Sequence, residues 1–174
     1  MAELKDKITA LLKQSDFDGL ILTAGKDRAV LRHLISLTYD RGDVLCRRAV
    51  EAIGMVTAAM PHEEARKAAQ RVLWMMRDES GGSAWSGPDI LGEIVRGNPE
   101  PMLDIVPIIA SFHEEDIFRP GVLKALGRIA EVRPEMVRPL REMIEAYASH
   151  DDPLVRGNAV YALGTLGLKE DFPV

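Results

Sequence analysis

Two carboxylates one helical turn apart come closest to a catalytic pair in this sequence. Asp89 and Glu93 are four residues apart, so a helix would bring both side chains to one face, a geometry compatible with acid–base chemistry. No histidine, metal motif or nucleophile stands beside them in the sequence. We therefore expect no catalytic residues and assign the pair to a binding surface.

Two His-Glu-Glu triplets resemble half of a metal site. They begin at His62 and His113, and neither has the second histidine at i+4 that a helical zinc site requires. The single cysteine, Cys46, excludes an internal disulfide and has no histidine near it in sequence to act as a base. We expect no metal, no cofactor and no catalytic cysteine.

Composition and charge restrict the partners. The chain has 174 residues, a length typical of one domain, and a net charge of −5. Residues 1–87 hold 13 basic and 12 acidic side chains, whereas residues 88–174 hold 9 and 15. A duplex-DNA protein needs a basic face, so nucleic acid is an unlikely partner, and the acidic half suits a basic one. Without an apolar run of about 18 residues or an apolar leader, we expect no membrane contact and a cytoplasmic protein.

The apolar residues repeat with the period of a helix. From Glu64 to Arg77 they recur three and four residues apart, and the stretch from Arg48 to Met60 shows the same spacing. Strict alternation is rare and aromatic residues make up 5% of the chain. The sequence therefore predicts an all-α fold.

An internal repeat organises these helices. Four segments, 48–54, 86–92, 121–127 and 158–164, align without gaps and end on a glycine. We call these the register glycines: Gly54, Gly92, Gly127 and Gly164. A glycine inside a helix costs about 0.5–1 kcal/mol relative to alanine, so four at one register imply a shared benefit. We expect neighbouring helix backbones to approach closely there.

Each unit is long enough for two antiparallel helices. The first helices are predicted at 26–39, 62–77, 99–112 and 133–149, and residues 2–24 form a shorter opening pair. The predicted units are 1–25, 26–60, 61–97, 98–132 and 133–168. Five helix pairs would stack as an α–α superhelix, an α-solenoid that makes residues 1–174 one domain.

The last unit carries the pattern of a known repeat. Residues 152–167 read as an acidic turn, then Val-Arg, then Ala-Leu-Gly-Thr-Leu-Gly. This resembles a HEAT repeat of the short, phycobilisome-lyase-like kind, and the chain resembles an uncharacterised family of small prokaryotic HEAT-repeat proteins. The resemblance implies scaffold or adaptor work along a curved, concave surface rather than a chemistry.

The third unit departs from the plain repeat. Trp74 lies on the polar face of its predicted helix, opposite the apolar stripe, and an atypical loop follows and ends at Trp85. This loop either covers Trp74 as a structural plug or presents aromatic anchors to a partner. On the second helices, the residues three before and one after each register glycine share a side and would line the concave face. The predicted binding residues are Trp74, Arg77, Asp78, Glu79, Trp85, Asp89, Glu93, Lys124 and Arg128.

These features favour a non-enzymatic scaffold or adaptor that binds a protein or peptide segment, possibly a basic one, at an acidic and aromatic groove centre. One alternative is a HEAT-type enzyme, either like a bilin lyase or like a glycosylase for alkylated DNA bases. The other alternative is a structural subunit of a larger assembly. The sequence leaves the oligomeric state open.

Overall fold

The computed structural model describes residues 2–40, 42–77 and 85–167, and throughout these ranges the regular structure is helical. The all-α prediction is confirmed. Within the same ranges, no helix is both long and apolar enough to cross a bilayer. The α-helices are α1 (Ala2–Lys13), α2 (Phe17–Ala24), α3 (Ala29–Ser36), α4 (Val44–Ala58), α5 (His62–Arg77), α6 (Gly87–Gly97), α7 (Ile105–Ser111), α8 (Arg119–Ala130), α9 (Pro134–Val137), α10 (Arg141–Glu145) and α11 (Pro153–Gly167).

Local sequence signals start these helices. The carboxylates of Asp16 and Asp43 accept hydrogen bonds from backbone N–H groups in the first turns of α2 and α4. Asp152 does the same for α11, where its Oδ1 lies 2.7 Å from the nitrogen of Leu154. Pro88 and Pro120 stand in the first turns of α6 and α8, where a missing N–H costs no helical bond.

Proline also breaks two of the predicted first helices. Helix α5 has the predicted bounds of 62–77, and α3 is a shorter version of 26–39. The predicted helix 99–112 is instead a 3-10 turn at Glu100–Met102 followed by α7. The predicted helix 133–149 is α9, a 3-10 turn at Arg138–Leu140, and α10. These two predictions are wrong because Pro107 and Pro139 cannot donate the hydrogen bonds that a continuous helix needs at those positions.

The four helices that carry the register glycines pack side by side in chain order. We call them the glycine helices: α4 contacts α6, α6 contacts α8, and α8 contacts α11. Their facing surfaces supply much of the core, and Ile53, Leu91 and Leu126 are fully buried there. The first helices pack against this row, as α5 does against α6 and α7 does against α8.

The register glycines lie where these helices meet. A β-carbon built on Gly54 would stand 2.8 Å from the β-carbon of Glu93, and one built on Gly92 would stand 2.7 Å from that of Ala125. On Gly127 it would overlap the ring of Tyr161. The predicted close approach is therefore confirmed at these three glycines, since no side chain larger than hydrogen fits.

Candidate functional site

The predicted acidic centre is a set of buried ion pairs between α6 and α8. Asp89 and Glu93 are only 8% and 7% exposed. The ammonium group of Lys124 lies 3.0 Å from Asp89 Oδ1, and the guanidinium of Arg128 lies 2.6 Å from Glu93 Oε1. The two carboxylates that the sequence analysis assigns to a binding surface are thus covered, because each lies opposite a cation at the same register position of the next glycine helix.

Glu93 and Arg128 belong to a larger network. Arg96, one turn after Glu93, lies 3.5 Å from it and 3.3 Å from Glu131. Glu131 also accepts a hydrogen bond from Arg128 at 2.7 Å and one from the hydroxyl of Tyr161 at 2.6 Å. The network therefore joins three consecutive glycine helices, α6, α8 and α11, through alternating charges.

The network sets the ionisation of its members. Burial alone would lower the pKa of Arg128, but the hydrogen bond and charge of Glu93 raise it above its ordinary value. Burial alone would raise the pKa of Glu131, but the Tyr161 hydroxyl and the charges of Arg128 and Arg96 lower it below 4.5. Burial, together with the bond to Glu131, raises the pKa of Tyr161 to about 12. At neutral pH Arg128 and Glu131 are therefore charged and Tyr161 keeps its proton.

Arg96 and Glu131 are the charged members of this network that the sequence analysis did not select. The signal for them is local, because each lies three residues from a partner on its own helix, Glu93 or Arg128. Sequence spacing alone does not show that the pair Glu93–Arg96 lies opposite the pair Arg128–Glu131.

A polar groove crosses the glycine helices near their N-terminal ends. We call it the N-terminal groove, a depression of about 420 Å³. Its lining comes from the first two turns of each glycine helix and from the residue before α6, and includes Arg47, Val50, Asp89, Lys124, Leu154 and Asn158. Asp89 is buried, whereas Arg47 is exposed and 44% of the Lys124 side chain is exposed. The accessible charge in this groove is therefore positive.

A larger groove, of about 530 Å³, lies between α2, the start of α3 and α5. Its floor is apolar, with Leu22 at 69% exposure, and its rim carries Arg28, Lys67 and Arg71 against Glu64. The sequence analysis did not predict this groove, because its walls are assembled from helices of three different units.

Both tryptophans are exposed. Trp74 is 66% exposed on α5, and Trp85 is 47% exposed just before α6. Helices α5 and α6 are tied together at this point, because the side chain of Met76 packs on the α-carbon of Gly87. Arg77 is exposed at the end of α5, and the predicted site residues Asp78 and Glu79 lie outside the described residues. That the tryptophans act as anchors for a partner, or that the loop between them acts as a structural plug, are both still predictions.

Cys46 and His113, the other residues considered for chemistry, contact groups of the protein itself. Cys46 is buried, with its sulfur 3.5 Å from the carbonyl oxygen of Thr38, which also accepts a hydrogen bond from Ser86 at 2.9 Å. His113 Nδ1 lies 2.7 Å from the hydroxyl of Tyr147. In the part of the chain that the structure describes, no three histidine, cysteine or acidic side chains are placed to hold a metal ion.

Comparison with known proteins gives one relative to report. An uncharacterized protein of Archaeoglobus fulgidus is 30% identical over 139 residues, which cover 77% of this chain and 73% of the relative. The chain belongs to this protein's family. The relative's name states no activity, so family membership assigns no function. No family model matches the chain. No solved structure matches it.

Proposed function

We propose that the protein is a non-enzymatic interaction module that holds a segment of another protein in the N-terminal groove. The observation that carries the proposal is the groove itself, since it crosses all four glycine helices instead of lying between two of them. A groove of this kind is suited to an extended segment, because successive units present successive contacts.

The proposal includes a HEAT-type solenoid. Its support is that equivalent positions make equivalent contacts in different units. Arg119 and Arg156 both stand eight residues before a register glycine, and each donates hydrogen bonds to the carbonyl oxygens five and six residues before itself. Both therefore hold the turn that precedes a glycine helix, as a repeating unit requires.

The partner that fits the groove is neutral to acidic. The two predicted anionic contacts, Asp89 and Glu93, are buried against Lys124 and Arg128 and offer little to a basic segment. The exposed cation Arg47, the half-exposed Lys124 and the positive N-terminal ends of the glycine helices favour carboxylates. Trp85, which precedes the lining residue Ser86, adds an exposed aromatic contact beside the groove.

We place this activity in the cytoplasm as part of the proposal. The chain has one cysteine, so it forms no internal disulfide of the kind that stabilises many secreted domains.

The test uses fluorescently labelled Glu/Leu-rich and Lys/Leu-rich peptides of equal length, with a DNA duplex as a third probe. We expect the acidic peptide to bind best in an anisotropy titration at low salt. Arg47→Glu should weaken its binding about tenfold, since a positive contact becomes a negative one. Arg71→Glu is the matched control, because Arg71 lines the larger groove between α2 and α5.

Three results would contradict the proposal. Tighter binding of the Lys/Leu peptide would show that the partner charge is wrong. A loss with Arg71→Glu and none with Arg47→Glu would move the site to the larger groove. Retention of DNA in preference to both peptides would favour the glycosylase-like alternative.

A further inference from the structure

The register that the glycine helices share has one open position. Gly54, Gly92 and Gly127 each face the next glycine helix, but a β-carbon built on Gly164 of α11 would meet nothing within 4 Å. The same holds for Gly157, two turns earlier on α11. The surface of α11 that corresponds to the covered surfaces of α4, α6 and α8 is therefore bare among the described residues.

The residues four before each register glycine show the same contrast. Val50 of α4 is 7% exposed and Leu123 of α8 is fully buried, whereas Val160 of α11 is 54% exposed. Leu154, at the start of α11, is 56% exposed. The residue four before the glycine is thus apolar in α4, α8 and α11. Among these three described residues, it is exposed to solvent in α11 alone.

The charge on α11 points to the kind of helix that fits this surface. Between Pro153 and Gly167 the single charged residue is Arg156, and its guanidinium is bonded to the carbonyl oxygens of the preceding turn. The other glycine helices carry three charged residues each, as α8 does with Arg119, Lys124 and Arg128. A partner helix on α11 must be uncharged too, or it would bury charges without partners.

We propose that the face of α11 formed by Gly157, Val160 and Gly164 docks on the same face of a second copy of this chain, giving a two-fold symmetric dimer. The glycines, seven residues apart on one side of the helix, allow the two backbones to approach as closely as α6 and α8 do. An isologous contact pairs this uncharged face with itself.

Head-to-tail stacking is the competing arrangement, and charge disfavours it. The row of glycine helices begins beside α1, which packs on α2, α3 and α4. The exposed side chains of α1 include Glu3, Lys5, Asp6 and Lys7. Stacking α11 on this surface would remove several charges from water without providing partners.

Sedimentation velocity over a concentration series tests the dimer. We expect reversible dimerisation of the wild type with a dissociation constant on the order of 10 µM, as suits an interface built mainly on one helix face. Val160→Glu should raise that constant about a hundredfold or more, because the two-fold axis brings two carboxylates into an apolar contact. Val44→Glu is the matched control, since Val44 is 53% exposed at the start of α4; it should dimerise like the wild type.

A second variant tests whether Val160 lies near the two-fold axis of the proposed dimer. Val160→Cys should form a disulfide-linked dimer under mild oxidation, whereas Val44→Cys should not, since only the former lies near the two-fold axis. The proposal is overturned if the wild type stays monomeric at high micromolar concentration. It is also overturned if the two glutamate variants associate alike, or if association proceeds past the dimer into larger assemblies.

Discussion

The α6–α8 interface and the outer face of α11 share one register and differ in what covers them. At the interface, Gly92 lies against Ala125, and the residue after the glycine, Glu93, binds Arg128. On α11, Gly164 is open, and the corresponding residue, Thr165, donates its hydroxyl proton to a carbonyl of its own helix. The same sequence position is thus a packing contact with a charge pair in one unit and a bare uncharged surface in another.

This difference shows that the ion pairs form where one glycine helix packs against the next. Asp89–Lys124 and Glu93–Arg128 each join residues at equal distances from their register glycines, so both pairs form at the same offset between α6 and α8. A slip of one turn would keep one carboxylate opposite a cation and leave the other buried opposite Val132 or Pro120, which is costly. On α11 the corresponding residues, Tyr161 and Thr165, carry no charge at neutral pH.

The largest effect should come from breaking the covered pair. Arg128→Met leaves Glu93, which is 7% exposed, with the guanidinium of Arg96 at 3.5 Å as the cation next to it. We expect a loss of about 3 kcal/mol in the free energy of unfolding, measured by urea denaturation, because an inadequately paired carboxylate stays buried. Thr165→Met, at the same position on the open face, should change stability by less than about 0.5 kcal/mol. Equal losses of unfolding free energy for the two variants would contradict the distinction between the covered α6–α8 interface and the open face of α11.

The second ion pair should be weaker. Asp89 is buried, but 44% of the Lys124 side chain is exposed to solvent, which screens the interaction. A double-mutant cycle of Asp89→Asn and Lys124→Met should give a coupling energy below about 1 kcal/mol, and the corresponding cycle on Glu93 and Arg128 a larger one. A larger coupling at Asp89 would reverse the ranking of the two pairs.

The titration of Tyr161 tests the contact between α8 and α11, where its hydroxyl bonds to Glu131. Its pKa is raised to about 12 in the folded protein, from an ordinary value of 10.0. A raised pKa adds stability that is complete below pH 10 and is lost as the pH rises through about 12. Ultraviolet titration of the three tyrosines should therefore show one late component, absent in Tyr161→Phe. Titration of all three near their ordinary value would contradict the bond to Glu131.

The smallest effect on stability should come from the tryptophans. Trp74 and Trp85 are 66% and 47% exposed, so Trp74→Ala should change the free energy of unfolding by about 0.5 kcal/mol or less, and Trp85→Ala only slightly more. If Trp85 is an anchor, its alanine variant should weaken binding of the acidic peptide while the melting temperature stays constant. A large drop in stability for both variants would favour the structural plug.

The sequence was most informative where a contact depends on the repeat. The register glycines and helix α5 could be predicted because their signals are periodic and local. The pairing of Asp89 and Glu93 with Lys124 and Arg128 could not, because each helix alone shows only a charged face. Which charges meet depends on the offset between helices, and this is set by packing at Gly92.

The broken first helices show a second limit. Pro107 and Pro139 lie inside the predicted helices 99–112 and 133–149, and each removes a backbone donor that a continuous helix needs. The larger groove was not predicted for a different reason. Its walls come from residues far apart in sequence, such as Ile21 and Lys67.

The central claim is that the glycine helices share one packing register that is covered at α6 and open at α11. The most direct test compares the free energies of unfolding of Gly92→Ala and Gly164→Ala, at a protein concentration well below the dimer's dissociation constant. Gly92→Ala should lose about 1–3 kcal/mol, because its methyl group would stand 2.7 Å from the β-carbon of Ala125. Gly164→Ala should gain about 0.5–1 kcal/mol, because nothing lies within 4 Å and alanine favours the helix. Changes of the same sign at both positions would contradict the account.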